Sequence, residues 1–385
     1  MSPTAIFAAG FLILFVGGGA RFAIGLTLKP MVTDLGWQRG ELGLAVAAYL
    51  VVSAFATYLA GRLADRTSPR LLLNAGVVVS GLGIGLMCLV GEPWHALALY
   101  GVVFAVGNGL ASLTPVGVMV TRAFPHRAGL ANSAVISGTS VGQLVMIAAL
   151  AAVLVQIGWR SVFVWLGLAH LLLIPFLLFA LPRSAQSRAG AAAPGGLGVR
   201  QALRTRRFWL LLAVYAICGF DDFFVATHVV AFASDRGVDD LVAGNLLALM
   251  GLTSLIGLIA TGLVSDRAGP AWTTAIVFAA RVAVFGLIAV DQSPVSIAVF
   301  ALVFGATFLV TAPLTVLFVR DHFGMAHLGA LTGLITMVHQ IFGGLGAWGG
   351  ALIFDATGTY DAAFVLMLAV SALALVLTLM VRRAA

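Results

Sequence analysis

Charge is what this chain has least of. Acidic and basic residues make up 9% of its 385 positions against 61% hydrophobic ones, and mean hydropathy is +1.10. A water-soluble fold of this length could not hide so much apolar surface, so lipid must be its solvent. Cysteine is nearly absent. Cys88 and Cys218 lie inside apolar runs without a pairing pattern, so no disulfide is expected. Alternation of polar and apolar residues is missing too, which excludes a β-barrel. The N-terminus has neither a charged region nor a cleavage site, so 5–31 reads as a retained helix. Clustered metal ligands and a phosphate loop are lacking. Gly138-Thr-Ser140-Val-Gly142 imitates a hydrolase elbow and Gly344-Leu-Gly346-Ala-Trp-Gly349 a dinucleotide fingerprint. Each lies in an apolar run with no strand before it, and as glycine faces they suit close helix packing. The expectation is no enzyme, no metal and no cofactor.

What is present is a set of long apolar runs and a repeat. Eleven polar breaks, among them 65–69, 158–160 and 355–361, divide the chain into twelve segments, each near the roughly 20 residues that a spanning helix needs. Gly61-Arg-Leu-Ala-Asp65-Arg66 returns as Gly262-Leu-Val-Ser-Asp266-Arg267, 201 positions on, each time at the end of an apolar run. Pro115, Arg122 and Gly158 recur at nearly the same offset as Pro313, Arg320 and Gly358. The fold class expected is an all-α membrane protein of twelve transmembrane helices in two pseudo-symmetric six-helix bundles. The bundles would be 1–182 and 207–385, joined by a cytoplasmic linker, 183–206, rich in Ala, Gly, Ser and Arg. Pro115 and Pro313 should kink helices 4 and 10.

A pI near 10.2 would suit nucleic acid, but the placement of charge points elsewhere. With the N-terminus cytoplasmic, inner loops and tail hold 15 of the 21 Lys+Arg. Lys29, Arg39, Arg160 and Arg236 fall outside. That asymmetry is the positive-inside rule, and it places both termini in the cytoplasm. The expected partners are membrane lipids and a small-molecule substrate, not nucleic acid, with the chain a monomer in a bacterial inner (plasma) membrane.

Four charges fall near the middle of spans: Arg21 in helix 1, Asp221 and Asp222 in helix 7, and Arg281 in helix 9. A charge at that depth costs roughly 2.5–3.5 kcal/mol on the lenient scale, so each should face a partner or a wet cavity. Gly17 and Gly25 flank Arg21 and should leave room beside its guanidinium, which suits it to gripping a carboxylate. Asp221 and His228, seven apart, share one face of helix 7, while Asp222 points about 100° away and should have other partners. One of these aspartates, or His228, would carry a coupling proton. The structural alternative is an Arg21–aspartate pair that locks helix 1 to helix 7. His339-Gln340 suits an interhelical tie more than a proton site.

The two Gly-x-x-x-Asp-Arg turns, in equivalent places of two halves, resemble the signature turn of the major facilitator superfamily. That resemblance implies a gating motif of Gly61, Asp65, Arg66, Gly262, Asp266 and Arg267, and a cavity lined by helices 1, 4, 7 and 10. Asn108 in helix 4 and Thr311 in helix 10 then join Arg21 and His228 as candidate substrate-binding residues. Arg281, on an outer helix, would make a structural contact or snorkel. Leu28-Lys-Pro-Met-Val-Thr-Asp-Leu-Gly36, Cys218-Gly-Phe-Asp-Asp-Phe-Phe-Val-Ala-Thr-His228 and the run from His339 to Asp361 are similar to the bacterial monocarboxylate-transporter-like branch. Ser254 and Leu258 stand where animal members of that branch place an Asp and an Arg. The implied activity is secondary transport of a small organic anion, foremost a monocarboxylate, coupled to H+ by alternating access. The rivals are a proton-driven exporter of hydrophobic or cationic compounds and a non-transporting sensor.

Overall fold

The computed structural model describes residues 2–64, 67–124, 128–181, 197–324 and 328–383. The first helices are α1 (Pro3–Leu35), α2 (Arg39–Ala64), α3 (Pro69–Leu89) and α4 (Pro93–Val120). Ala128–Ala180 is one helical run of 53 residues broken at Gly158 (φ 72°, ψ 161°). A straight helix of that length would measure about 80 Å, far more than the ~30 Å hydrocarbon core, so it is two spans, α5 (128–157) and α6 (159–180). The second half holds α7 (Arg206–Asp235), then Asp240–Val290, broken at Gly269 into α8 (240–268) and α9 (270–290). It ends with α10 (Pro294–Phe308 and Thr311–Phe323), α11 (Leu328–Thr357) and α12 (Asp361–Arg383). Twelve spans are present among the described residues, as the break pattern predicts.

Local chemistry explains where these helices start. Pro3, Pro69, Pro93 and Pro294 open helices at the position where a missing N–H costs nothing. Ser68, Thr205, Asp239 and Ser293 accept hydrogen bonds from first-turn N–H groups of α3, α7, α8 and α10. The duplication is visible in the backbone as well as in the motif. Gly36 and Gly237 leave α1 and α7 at φ 69° and 80°, and Gly158 and Gly358 precede α6 and α12 at 72° and 74°. A side chain would strain each of these four turns. At the same level Arg160 of α6 pairs with Asp34 of α1 at 2.6 Å, and Asp361 of α12 with Arg236 of α7 at 2.8 Å. The position is kept and the sign is exchanged. The expected kinks also occur. α4 loosens at Ala111–Ser112, just before Pro115, and α10 bends by 41° just before Pro313.

Several expectations about glycine need correction. Gly138 of α5 does sit on α1, where an added Cβ would lie 2.7 Å from the Phe11 carbonyl oxygen, and Gly142 meets the Phe15 carbonyl in the same way. Gly346 likewise seats α11 on Phe220 of α7. Gly25, however, gives no free space beside Arg21: it lets α1 cross directly on the Ala226 carbonyl of α7. Gly61 packs near Thr114, but Gly262 has nothing within 4 Å, so the second motif glycine serves no close approach. Asp65 and Arg66 lie outside the described residues, as does the Asp266 side chain. Within the expected linker 183–206, the described residues from 197 onward contact the C-terminal half. The Leu197 amide donates to the Phe323 carbonyl, and the single turn Val199–Ala202 packs into the apolar core of the C-terminal half.

Overfilling the α1–α5 contact should be measurable. Gly142→Ala is expected to cost about 1–3 kcal/mol and lower the melting temperature in detergent. Gly286→Ala, where a Cβ meets nothing within 4 Å, should change stability by less than about 0.5 kcal/mol.

Candidate functional site

A small cavity lies where α1, α2 and α4 of the first half meet α7 of the second. Arg21, Val46, Tyr49, Tyr100, Phe223 and Thr227 are among its walls. Its room is that of about one water molecule. The Tyr49 and Tyr100 rings pack with centroids 5.0 Å apart at a 35° tilt, the Tyr49 hydroxyl donating to Asn108 Oδ1 at 3.0 Å and the Tyr100 hydroxyl to the Arg21 carbonyl at 3.1 Å. The Arg21 guanidinium sits over the Phe223 ring, 4.8 Å from its centroid. Among the described residues it has no acidic partner, and its buried Nε has no hydrogen-bond acceptor. An aromatic face offers a guanidinium only about 0.5–2 kcal/mol, so the charge is left with unused capacity.

The helix 7 aspartates find their cation elsewhere, which corrects the expected Arg21–aspartate lock. Arg281 of α9 is fully buried and does not snorkel. Its NH2 meets Asp222 Oδ1 at 2.6 Å and its NH1 lies 3.8 Å from Asp221 Oδ2. Its Nε donates to Thr307 Oγ1 of α10 at 3.1 Å, and its NH2 to the Thr307 carbonyl. The remaining contacts of the two aspartates diverge, as their angular separation predicts. Asp221 Oδ2 accepts from Ser371 Oγ of α12 at 2.6 Å, while Asp222 Oδ2 lies 3.1 Å from His339 Nε2 of α11. Cys218 completes the group, its sulfur 3.5 Å from Asp222 Oδ2 and 3.6 Å from Arg281 NH1.

Folding thus gathers three potential metal ligands, Cys218, Asp222 and His339, within 4.8 Å of one another, where the sequence shows no cluster. They fit a metal poorly. The guanidinium already occupies the shared carboxylate and lies against the sulfur, where it would repel a second cation.

Other candidates are less central. His228 does not reach the Arg21 cavity. Its Nε2 contacts the Ala347 carbonyl at 2.7 Å and its Nδ1 the Tyr360 hydroxyl at 2.9 Å, so both ring nitrogens are engaged. Its partners are Ala347 of α11 and Tyr360 just before α12, whereas Asp221 bonds Ser371 within α12. Asn108 reaches the cavity only through Tyr49. Thr311 is buried, and its carbonyl accepts from the Tyr215 hydroxyl. Gln340 ties α11 to α2, accepting from Ser53 Oγ across the two halves.

A feature that motif reading missed closes the α1–α2 end of the molecule. Arg39, buried at the start of α2, pairs with Asp235 of α7 at 2.6 Å, donates to the Tyr360 hydroxyl at 2.7 Å and stacks 3.7 Å above Phe354. Lys29 joins the same Asp235 at 3.1 Å. Asp355 of α11 accepts the backbone N–H groups of Arg39 and Gly40 at 3.0 and 2.6 Å, capping α2 from the opposite half. Because Arg39 donates to Tyr360, the tyrosine donates to His228 Nδ1, and His228 Nε2–H to Ala347. No sequence signal marked it, because the cap joins residues 316 positions apart.

Two six-helix bundles packed around a buried charge cluster, with ion pairs joining them at one end, define the architecture. The model of the Major Facilitator Superfamily matches residues 10–346 and 211–385, and the chain belongs to that family. The MFS-type transporter YcxA of Bacillus subtilis is 23% identical over 91% of this chain and 89% of its own length. Monocarboxylate transporter 13 of Rattus norvegicus is 22% identical over 94% and 84% respectively. The crystal structure of the nucleoside transporter NupG superposes with a TM-score of 0.81 over 98% of this chain and 98% of that one, at 14% identity. At that identity the likeness concerns the fold alone.

Removing one partner of a buried ion group leaves the others uncompensated. Arg281→Gln is expected to destabilise the protein by about 3–5 kcal/mol, read as a large fall in melting temperature or in yield of folded protein. Replacing Arg281 by Met and Asp222 by Leu together should recover much of that loss, and a double variant worse than the single one would refute the pairing.

Proposed function

We propose that this protein carries a small organic anion, foremost a monocarboxylate, across a bacterial inner membrane together with a proton. The observation that supports this reading is the Arg21 guanidinium: a permanent cation lining an interface cavity, with no acidic side chain on it among the described residues. A carboxylate would supply the missing charge and take two parallel hydrogen bonds from the guanidinium fork. A relative named as a monocarboxylate transporter aligns with nearly the whole chain, which agrees with that substrate class. Asn108 would help by holding Tyr49 in the wall, and Thr311 by shaping the bend of α10.

The cavity has room for about one water, so binding of even a small carboxylate requires the halves to move apart. Rocking of the two bundles would break the Arg39–Asp235 and Asp355 contacts at one end and re-form contacts at the other, where α8 gives way to α9 at Gly269. The positive-inside bias makes the latch end periplasmic and both termini cytoplasmic. In the exporter reading, cationic cargo would bind the helix 7 aspartates. Arg281 already occupies that position, which argues for the anion.

Purified protein in proteoliposomes tests the reading. Labelled lactate or pyruvate should accumulate under an inward proton gradient. Arg21→Gln should lower uptake by roughly 10- to 100-fold, the equivalent of about 1.5–3 kcal/mol for a charge-assisted contact. Arg21→Lys should fall between, keeping the charge without the fork. Uptake untouched by Arg21→Gln would end the anchor hypothesis.

A further inference from the structure

We infer that the body of the transported anion is apolar and unhydroxylated, an aryl or branched-alkyl monocarboxylate, with short hydroxy acids as weaker competitors. This rests on the anion reading above and narrows its substrate class. The Arg21 cation has little polar company. Apart from it and the two tyrosines, Thr227 is the one polar side chain among the described residues that line the cavity, and Phe22, Val46, Leu50 and Phe223 belong to the rest. The tyrosines are not free donors either. The Tyr49 hydroxyl gives its hydrogen to Asn108 Oδ1, and the Tyr100 hydroxyl gives its own to the Arg21 carbonyl. A hydroxyl on the substrate would lose its water and meet mostly carbon, whereas a ring or a branched chain would gain contact.

One cation also means one carboxylate. Lys29 is held by Asp235 at 3.1 Å and Arg281 by Asp222 at 2.6 Å, and neither lines the cavity. A second carboxylate would be desolvated against apolar side chains with no charge to answer it. The aromatic wall belongs to the same half as the cation. Arg21, Tyr49 and Tyr100 lie on α1, α2 and α4, and Phe104 of α4 stacks behind the two tyrosines at 5.4 and 5.3 Å. Phe223, whose ring covers the guanidinium at 4.8 Å, belongs to the other half and fills the notch left by Gly343. Separation of the halves therefore strips Arg21 of that ring and leaves it beside the tyrosine wall. An apolar-bodied carboxylate supplies both an anion for the guanidinium and a face for the wall. A small hydroxy acid supplies only the first.

Isothermal calorimetry on the purified full chain in detergent tests this with benzoate, lactate, phthalate and benzamide. Benzoate should bind roughly ten-fold or more tighter than lactate, because each carbon buried in an apolar pocket adds to discrimination. Phthalate, with its second charge, and benzamide, with the ring but no charge, should each bind roughly ten-fold or more weaker than benzoate, as should benzoate to Arg21→Gln. Val46→Thr puts a hydroxyl on the wall at nearly unchanged volume and should narrow the benzoate-to-lactate ratio by about three-fold or more. Val46→Ser reads the same ratio should the threonine variant not fold. Lactate binding as tightly as benzoate, with both weakened by Arg21→Gln, would overturn the inference and leave the anion reading standing. A ratio indifferent to the wall substitution would overturn it in the same way. Benzamide equal to benzoate, or benzoate binding untouched by Arg21→Gln, would overturn the anion reading and this inference with it.

Discussion

A guanidinium cannot shed its proton, so inside a membrane it has to be answered by something. This chain answers two of them in opposite ways. Arg281 is surrounded by Asp222, Asp221, Thr307 and the Cys218 backbone, and its fork is saturated. Arg21 rests on an aromatic ring, and its buried Nε has no acceptor among the described residues. The contrast carries the functional reading: a saturated charge is a fixture of the fold, while an unsaturated one at a cavity is an invitation to an anion. Desolvation makes both expensive, and only the first is compensated by the protein itself.

Helix α7 is where the two solutions meet. Residues Asp221 and Asp222 turn into the C-terminal half, Phe223 and Thr227 face the interface cavity, and Asp235 at the helix end grips Lys29 and Arg39. Asp222 and Phe223, adjacent in sequence, thus face the buried charge cluster and the interface cavity, as a 100° step allows. A small rotation of this helix would alter the anion pocket, the buried charge cluster and the latch together. That is a physical route for coupling among sites that share no direct contact.

Much of the architecture was legible in the sequence because the bilayer imposes simple rules. Polar breaks gave twelve spans, the repeated turn gave two halves, and Pro115 and Pro313 gave the bends. The depth of Arg21, Asp221, Asp222 and Arg281 marked the residues that matter. Their pairing was not legible. Placing Arg281 on an outer helix suggested lipid or periphery, whereas its long side chain reaches inward between α7 and α10, a direction that periodicity alone does not fix. The contact of His339 with Asp222, 117 positions away, left no mark on either stretch of sequence. The glycine inference failed at Gly262 for a similar reason: a small residue permits close approach but does not say that a neighbour comes.

The cap that Asp355 places on α2 has a consequence for how the two halves relate as units. They share an ancestor's plan, repeated turn for turn, and each closes its first and last helix with its own ion pair. Yet the opening N–H groups of α2 are satisfied by a carboxylate that the other half owns. Duplication has been followed by division of labour. A severed N-terminal half would retain its own apolar core and still begin its second helix with a frayed end. The two pieces have become complementary parts of one molecule and are no longer interchangeable copies.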